Sequence, residues 1–66
     1  MKIALNGEAR ELPGELSVAE LLEHAGYAGR RVAVEINREI VPRSAHGERL
    51  LRHGDQVEVV HALGGG

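Results

Sequence analysis

Residues 16–26 read LSVAELLEHAG, and this run decides how the rest of the chain is read. Ser17 followed three residues later by Glu20 is a capping box, in which each side chain takes a backbone amide hydrogen that a helix start leaves unpaired. Leu16 before the cap and Leu21 after it are placed for a hydrophobic staple. Val18, Leu21, Leu22 and Ala25 recur on one helical face, and Gly26 stands where helices commonly stop. The spacing predicts one helix over residues 18–25, apolar on one side only. Such a stripe must be covered by another layer of structure.

The segments on either side have period two. In the opening MKIALNGEARELP, Ile3 and Leu5 alternate with Lys2, Ala4 and Asn6, and Asn6-Gly7 is a strong two-residue hairpin signal. The return strand is expected over residues 8–12, closed by Pro13-Gly14. Beyond the helix, RVAVEIN puts Val32, Val34 and Ile36 on one side and Ala33 and Glu35 on the other. A turn at residues 37–39 leads into Ile40-Val41, which Pro42 restricts to an edge or short strand. Residues 43–52 show no period and read as a loop with a turn of helix, anchored by Leu50 or Leu51. His53-Gly54-Asp55 reads as a turn before the last strand, QVEVVHAL. There Val57 and Val59 are expected to face inward, with Val60 and Ala62 on the opposite face. The order β-β-α-β-β-β predicts an α+β fold with one main helix covering one sheet face. The first and last strands are expected side by side in the middle of the sheet.

Composition narrows the function classes. A chain of 66 residues is one domain, and buries only about 60% of the surface its unfolded form exposes. It has no cysteine, which removes disulfides, thiolate ligands and cysteine nucleophiles, and fits a reducing cytoplasm. No signal-like start is present and no apolar run approaches the roughly 20 residues of a membrane helix, so no membrane partner is expected. Eight Lys and Arg against ten Asp and Glu leave a net charge of −2. Tyr27 is the only aromatic, and the arginines are scattered apart from Arg30-Arg31, which argues against a nucleic-acid partner.

Side chains for catalysis are sparse. No P-loop, Gly-x-Gly-x-x-Gly or nucleophile-elbow pattern occurs. Ser17 is accounted for as a helix cap, and Ser44 near His46 has no third group to orient a catalytic pair. His24, His46, His53 and His61 lack ligand spacing with one another or with carboxylates, so they read as surface or loop histidines and no metal is expected. Glu8, Glu11 and Glu15 read as a solvated face.

The chain ends HALGGG, and composition leaves two readings open. One is a frayed terminus or an expression scar. The other is a substrate handle, because glycines without Cβ atoms fit a narrow channel and approach a nucleotide closely. The ionised terminal carboxylate is a poor electrophile, so another enzyme would have to activate it, most simply as an acyl-adenylate.

Taken in order, LNGE, SVAELLE, VAVEINREIVPR and GDQVEVVHALGGG resemble the ThiS family of ubiquitin-like sulfur carriers of thiamine biosynthesis, over all 66 residues. The resemblance implies a β-grasp domain over residues 1–63, with a mixed sheet, and a flexible Gly-Gly-Gly tail over residues 64–66. It implies that Gly66 is adenylated by a ThiF-like, E1-type adenylyltransferase and converted to a thiocarboxylate. The sulfur would come from cysteine through a desulfurase or another donor, and would pass to a ThiG-like thiazole synthase. Gly65 and Gly66 match the family's terminal Gly-Gly, and Gly64 extends it by one. The large or aromatic residue common near the loop corresponds to Ala45 or His46. The protein is then a covalent co-substrate and not an enzyme. It binds no cofactor, and its partner consumes the ATP. Val60, Ala62 and Leu63 are the candidate docking residues, with ordinary strand positions as the alternative. Sulfur carriers of molybdopterin synthesis or tRNA thiolation, a TGS-like non-covalent β-grasp module and an isopeptide-forming modifier are the competing functions.

Overall fold

The computed structural model describes residues 1–62. Five strands form one mixed sheet: β1 (Lys2–Leu5), β2 (Glu8–Glu11), β3 (Val32–Ile36), β4 (Glu39–Val41) and β5 (Gln56–His61), in the spatial order β2-β1-β5-β3-β4. β1 and β5 lie side by side and parallel, while β2, β3 and β4 join by antiparallel pairing. The element order and the central β1–β5 pair are those expected from the sequence. β4 is an edge strand, as Pro42 requires.

Both hairpins turn on two residues with positive φ, Asn6 (50°) and Gly7 (85°), then Asn37 (51°) and Arg38 (72°). That geometry matches the right-handed twist of the strands it joins. β4 therefore starts at Glu39, one residue earlier than the predicted turn allowed.

The helix α1 spans Val18–His24, with Ala25 as its C-cap. Both arms of the capping box form: Glu20 N–H donates to Ser17 Oγ at 3.1 Å, and Ser17 N–H donates to Glu20 Oε1 at 2.9 Å. At the other end Gly26 has φ 89°, Tyr27 N–H donates to Leu22 O and Gly26 N–H to Glu23 O. These two bonds make a Schellman motif, which satisfies carbonyls the helix end would otherwise orphan.

Residues 43–52, periodless in sequence, have a clear task. Val18 N–H donates to Arg49 O and Ala19 N–H to His46 O, each at 2.9 Å, while Leu51 N–H donates back to Leu16 O. Loop carbonyls thus take the two first-turn amides that Ser17 cannot reach. Within the loop, Arg43–Ala45 forms a 3-10 turn. Leu51 is the buried anchor, and Leu50 is exposed.

Val18, Leu21 and Leu22 of α1 pack with Ile3, Leu5, Val34, Ile36, Val57 and Val59 of the sheet. Burying a leucine such as Leu21, which is fully covered, contributes about 1.5–3 kcal/mol. The opposite sheet face is left open, as one-sided cover predicts. His46 is a loop residue, as one of the two expected readings had it, but it is not on the surface. It is buried, with Nε2 at 3.2 Å from Val41 O, while its backbone carbonyl takes the Ala19 amide of the helix start. No helix among the described residues is long and apolar enough to cross a membrane.

Candidate functional site

β5 runs up the centre of the sheet and leads to the glycine tail, so what holds its end sets where the tail starts. Asn6, at the tip of the first hairpin, grips it twice. Its backbone N–H donates to Val57 O at 2.8 Å, and its Oδ1 accepts from Val59 N–H at 2.7 Å. Asn6 has φ 50°, and its side chain reaches across to β5 from that position.

A second set of contacts comes from the turn after the helix. Tyr27 meets His61 edge to face, with ring centroids 6.1 Å apart and planes at 61°. Asn6 Nδ2 donates to the Tyr27 hydroxyl at 3.5 Å. Ala62 N–H then donates to Arg31 O at 3.0 Å, continuing the β3 ladder one residue past the strand. The root of the tail is therefore tied to β1, β3 and the post-helix turn together. Leu63, Gly64, Gly65 and Gly66 lie outside the described residues.

Of the docking candidates within the described chain, Val60 and Ala62 are both exposed. Register sets Val60 opposite Ala33 and Ile40 opposite Glu35 on the open face, with Glu58 also opposite Glu35. Ala33, Val34, Glu35, Ile40, Glu58 and Val60 line one hollow of about 170 Å³. The sequence reading missed Ile40, Glu35 and Glu58. A signal was available for Ile40, since adjacent Ile40 and Val41 in an alternating strand cannot both face the core.

The other chemical candidates separate. Ser17 is committed to the cap, and Ser44 is exposed while the His46 ring is turned to Val41 O. His53 Nδ1 accepts from Lys2 N–H at 3.1 Å. Glu8, Glu11 and Glu15 are solvent-exposed. Among the described residues no group of three His, Asp or Glu is arranged to hold a metal.

A model of the ThiS family matches residues 3–66. The chain belongs to the ThiS family. Its structure superimposes on the crystal structure of the thiamine biosynthesis protein ThiS from Geobacter metallireducens with a TM-score of 0.86 and 35% identity, covering all of both chains. The mixed sheet with its single helix is thus the β-grasp fold of ThiS. The sulfur carrier protein ThiS of Escherichia coli is 32% identical over 66 residues, the full length of both chains. The thiazole synthase of Paramagnetospirillum magneticum is 42% identical over the same 66 residues, which are 20% of that protein. The chain spans about one fifth of the length of the thiazole synthases it matches.

Proposed function

We propose that this ThiS-family chain is a cytoplasmic sulfur carrier for building the thiazole of thiamine, with Gly66 as the atom-carrying residue. A ThiF-like adenylyltransferase joins the Gly66 carboxylate to the α-phosphate of ATP and releases pyrophosphate. A persulfide on a cysteine desulfurase or another donor attacks the acyl carbon and expels AMP. A thiol then reduces the acyl disulfide, leaving the C-terminal thiocarboxylate. Thiazole synthase takes the sulfur from it.

Gly64 and Gly65 let the carboxylate reach into partner active sites, since no Cβ obstructs a narrow channel. The chain itself acts as co-substrate and contributes neither a general base nor a bound cofactor. The observation that carries this reading is the end-to-end likeness to a sulfur carrier of the same span. The anchored root at Ala62 adds to it, because a fixed origin limits the volume a short tail must search.

Incubation with ATP, the adenylyltransferase and the sulfur donor should produce a mass gain equal to sulfur replacing oxygen. Fragmentation should locate that gain on Gly66. Deleting Gly65 and Gly66 should abolish the product and leave the melting temperature unchanged, because neither belongs to the described core. An unmodified tail in the presence of competent partners would overturn the proposal. Thiazole-requiring growth of a deletion strain assigns the acceptor.

A further inference from the structure

Lys2 is the only lysine of the chain, and the other seven basic side chains are arginines. The primary amines are therefore two, Lys2 Nζ and the Met1 amine, and both stand at one end of the sheet. β1 runs parallel to β5 with Ala4 opposite Gln56, and Gly54 N–H donates to Lys2 O at 2.8 Å. Ala62, the last described residue before the tail, lies six residues past Gln56, while Lys2 lies two before Ala4. Eight steps of about 3.3 Å set the two levels about 26 Å apart. The Met1 amine precedes Lys2, held at 3.3 Å from Glu11 Oε2 and donating to Leu12 O.

Residues 63–66 span at most about 14 Å when fully extended, and an outstretched lysine stem adds about 6 Å. Together these fall short of the separation, so neither amine reaches the Gly66 carbonyl of its own chain. The basic side chains beside Ala62 are of another kind. Ala62 N–H donates to Arg31 O at 3.0 Å, and Arg30 and Arg43 line one hollow with Val32, the residue paired with His61. A guanidinium stays protonated and offers no lone pair. An ammonium yields some free amine near neutral pH, and a free amine attacks an acyl carbon. With no cysteine in the chain, an internal thioester is excluded as well.

We propose that this distribution keeps the activated terminus from being captured by its own chain. Arginines 30, 31 and 43 supply the positive charge around the root of the tail, and the two amines are held out of reach. The acyl group then persists until the sulfur donor arrives. The proposal rests on the carrier reading above and names the residues that guard the choice of nucleophile. The reaction avoided is an acyl transfer. An amine at the root would bond to the Gly66 carbonyl carbon, AMP would leave with the electron pair of its C–O bond, and the ammonium proton would pass to water. That ring closure would be fast, because tethering two groups raises their effective concentration. Specificity here comes from removing the wrong partner as much as from attracting the right one.

The full chain prepared as its C-terminal thioester, by intein cleavage with a small thiol, tests the chemistry without any partner. In mildly alkaline buffer the wild-type thioester should hydrolyse to the free acid. Arg31→Lys should instead cyclise to a lactam, with the mass of its free acid less one water and a rate independent of dilution. Peptide mapping should join the introduced amine to Gly66. Arg30→Lys, its neighbour, should do the same. Arg52→Lys stands at the Lys2 end, where Asp55 N–H donates to Arg52 O, and should cyclise about tenfold or more slowly than Arg31→Lys. With ATP, the adenylyltransferase and the sulfur donor, Arg31→Lys should give less thiocarboxylate than wild type, and the lactam in its place. A wild-type thioester that cyclises on Lys2 or Met1 overturns the proposal. So do Arg30→Lys and Arg31→Lys thioesters that only hydrolyse or cyclise no faster than Arg52→Lys, and so does an Arg31→Lys chain that yields as much thiocarboxylate as wild type. The carrier reading fails separately: a wild-type chain that gains no thiocarboxylate from competent partners refutes it, while the partner-free thioester result still decides whether the terminus is shielded from its own amines.

Discussion

Arg38 has φ 72° and sits where the first hairpin has Gly7 at 85°. A residue with a Cβ in this left-handed region is strained by about 1–2 kcal/mol. The β3–β4 turn bears that strain because Asn37 is bonded on both sides. Its Nδ2 donates to Asp55 Oδ1 at 3.1 Å, and its Oδ1 accepts from Gln56 N–H at 3.0 Å. Asp55 is buried, and its other oxygen accepts Arg52 N–H at 2.8 Å. Replacing Arg38→Gly should raise unfolding stability by about 0.5–1 kcal/mol, the relief being partly offset by glycine's larger entropy loss. A higher denaturant midpoint at unchanged slope would show it, and a lower midpoint would refute the strain.

At the scale of the element, α1 has only seven residues, too few to persist alone in water. It exists because its first amides are all occupied, by Ser17 Oγ and by the carbonyls of His46 and Arg49, while its apolar stripe is covered. Ser17→Ala removes one of those acceptors and should cost about 1 kcal/mol. Thermal unfolding with Ser17→Asp as control checks the cause, since an aspartate at the cap should restore most of the loss. The capping box, the stripe and the stop at Gly26 were all legible in residues 16–26. The part played by residues 43–52 was not, because backbone carbonyls act there and every sequence supplies those.

Across the whole molecule, Asn6 couples the first hairpin to the last strand, 53 residues away. Its side chain stands in for a missing ladder partner at Val59 N–H and reaches the Tyr27 hydroxyl as well. Asn6→Ala leaves that amide unpaired and should cost about 1–3 kcal/mol. Amide exchange at Val59, whose N–H Asn6 holds, should quicken more than at Val34 on the neighbouring strand β3. Equal quickening at both sites would mean general destabilisation and would dismiss a local coupling. Holding β5 in this way also holds Ala62, which stands two residues before the first glycine of the tail.

Local chemistry determined the elements from sequence alone. Alternation marked the core sides of β1, β3 and β5, Asn6-Gly7 set the first turn, and residues 16–26 fixed the helix between its cap and its stop. The chain of glycines ending at Gly66, read with the motifs before it, pointed to the family. Tertiary structure alone decided the rest. Only pairing across the sheet could set Glu35 against Glu58 and Ile40 beside Glu35, and only packing of the 43–52 loop could bury His46 and choose Leu51 over Leu50. Periodicity records which side of a segment is apolar, whereas the partner facing each residue is chosen by burial and hydrogen bonding between segments far apart in the chain.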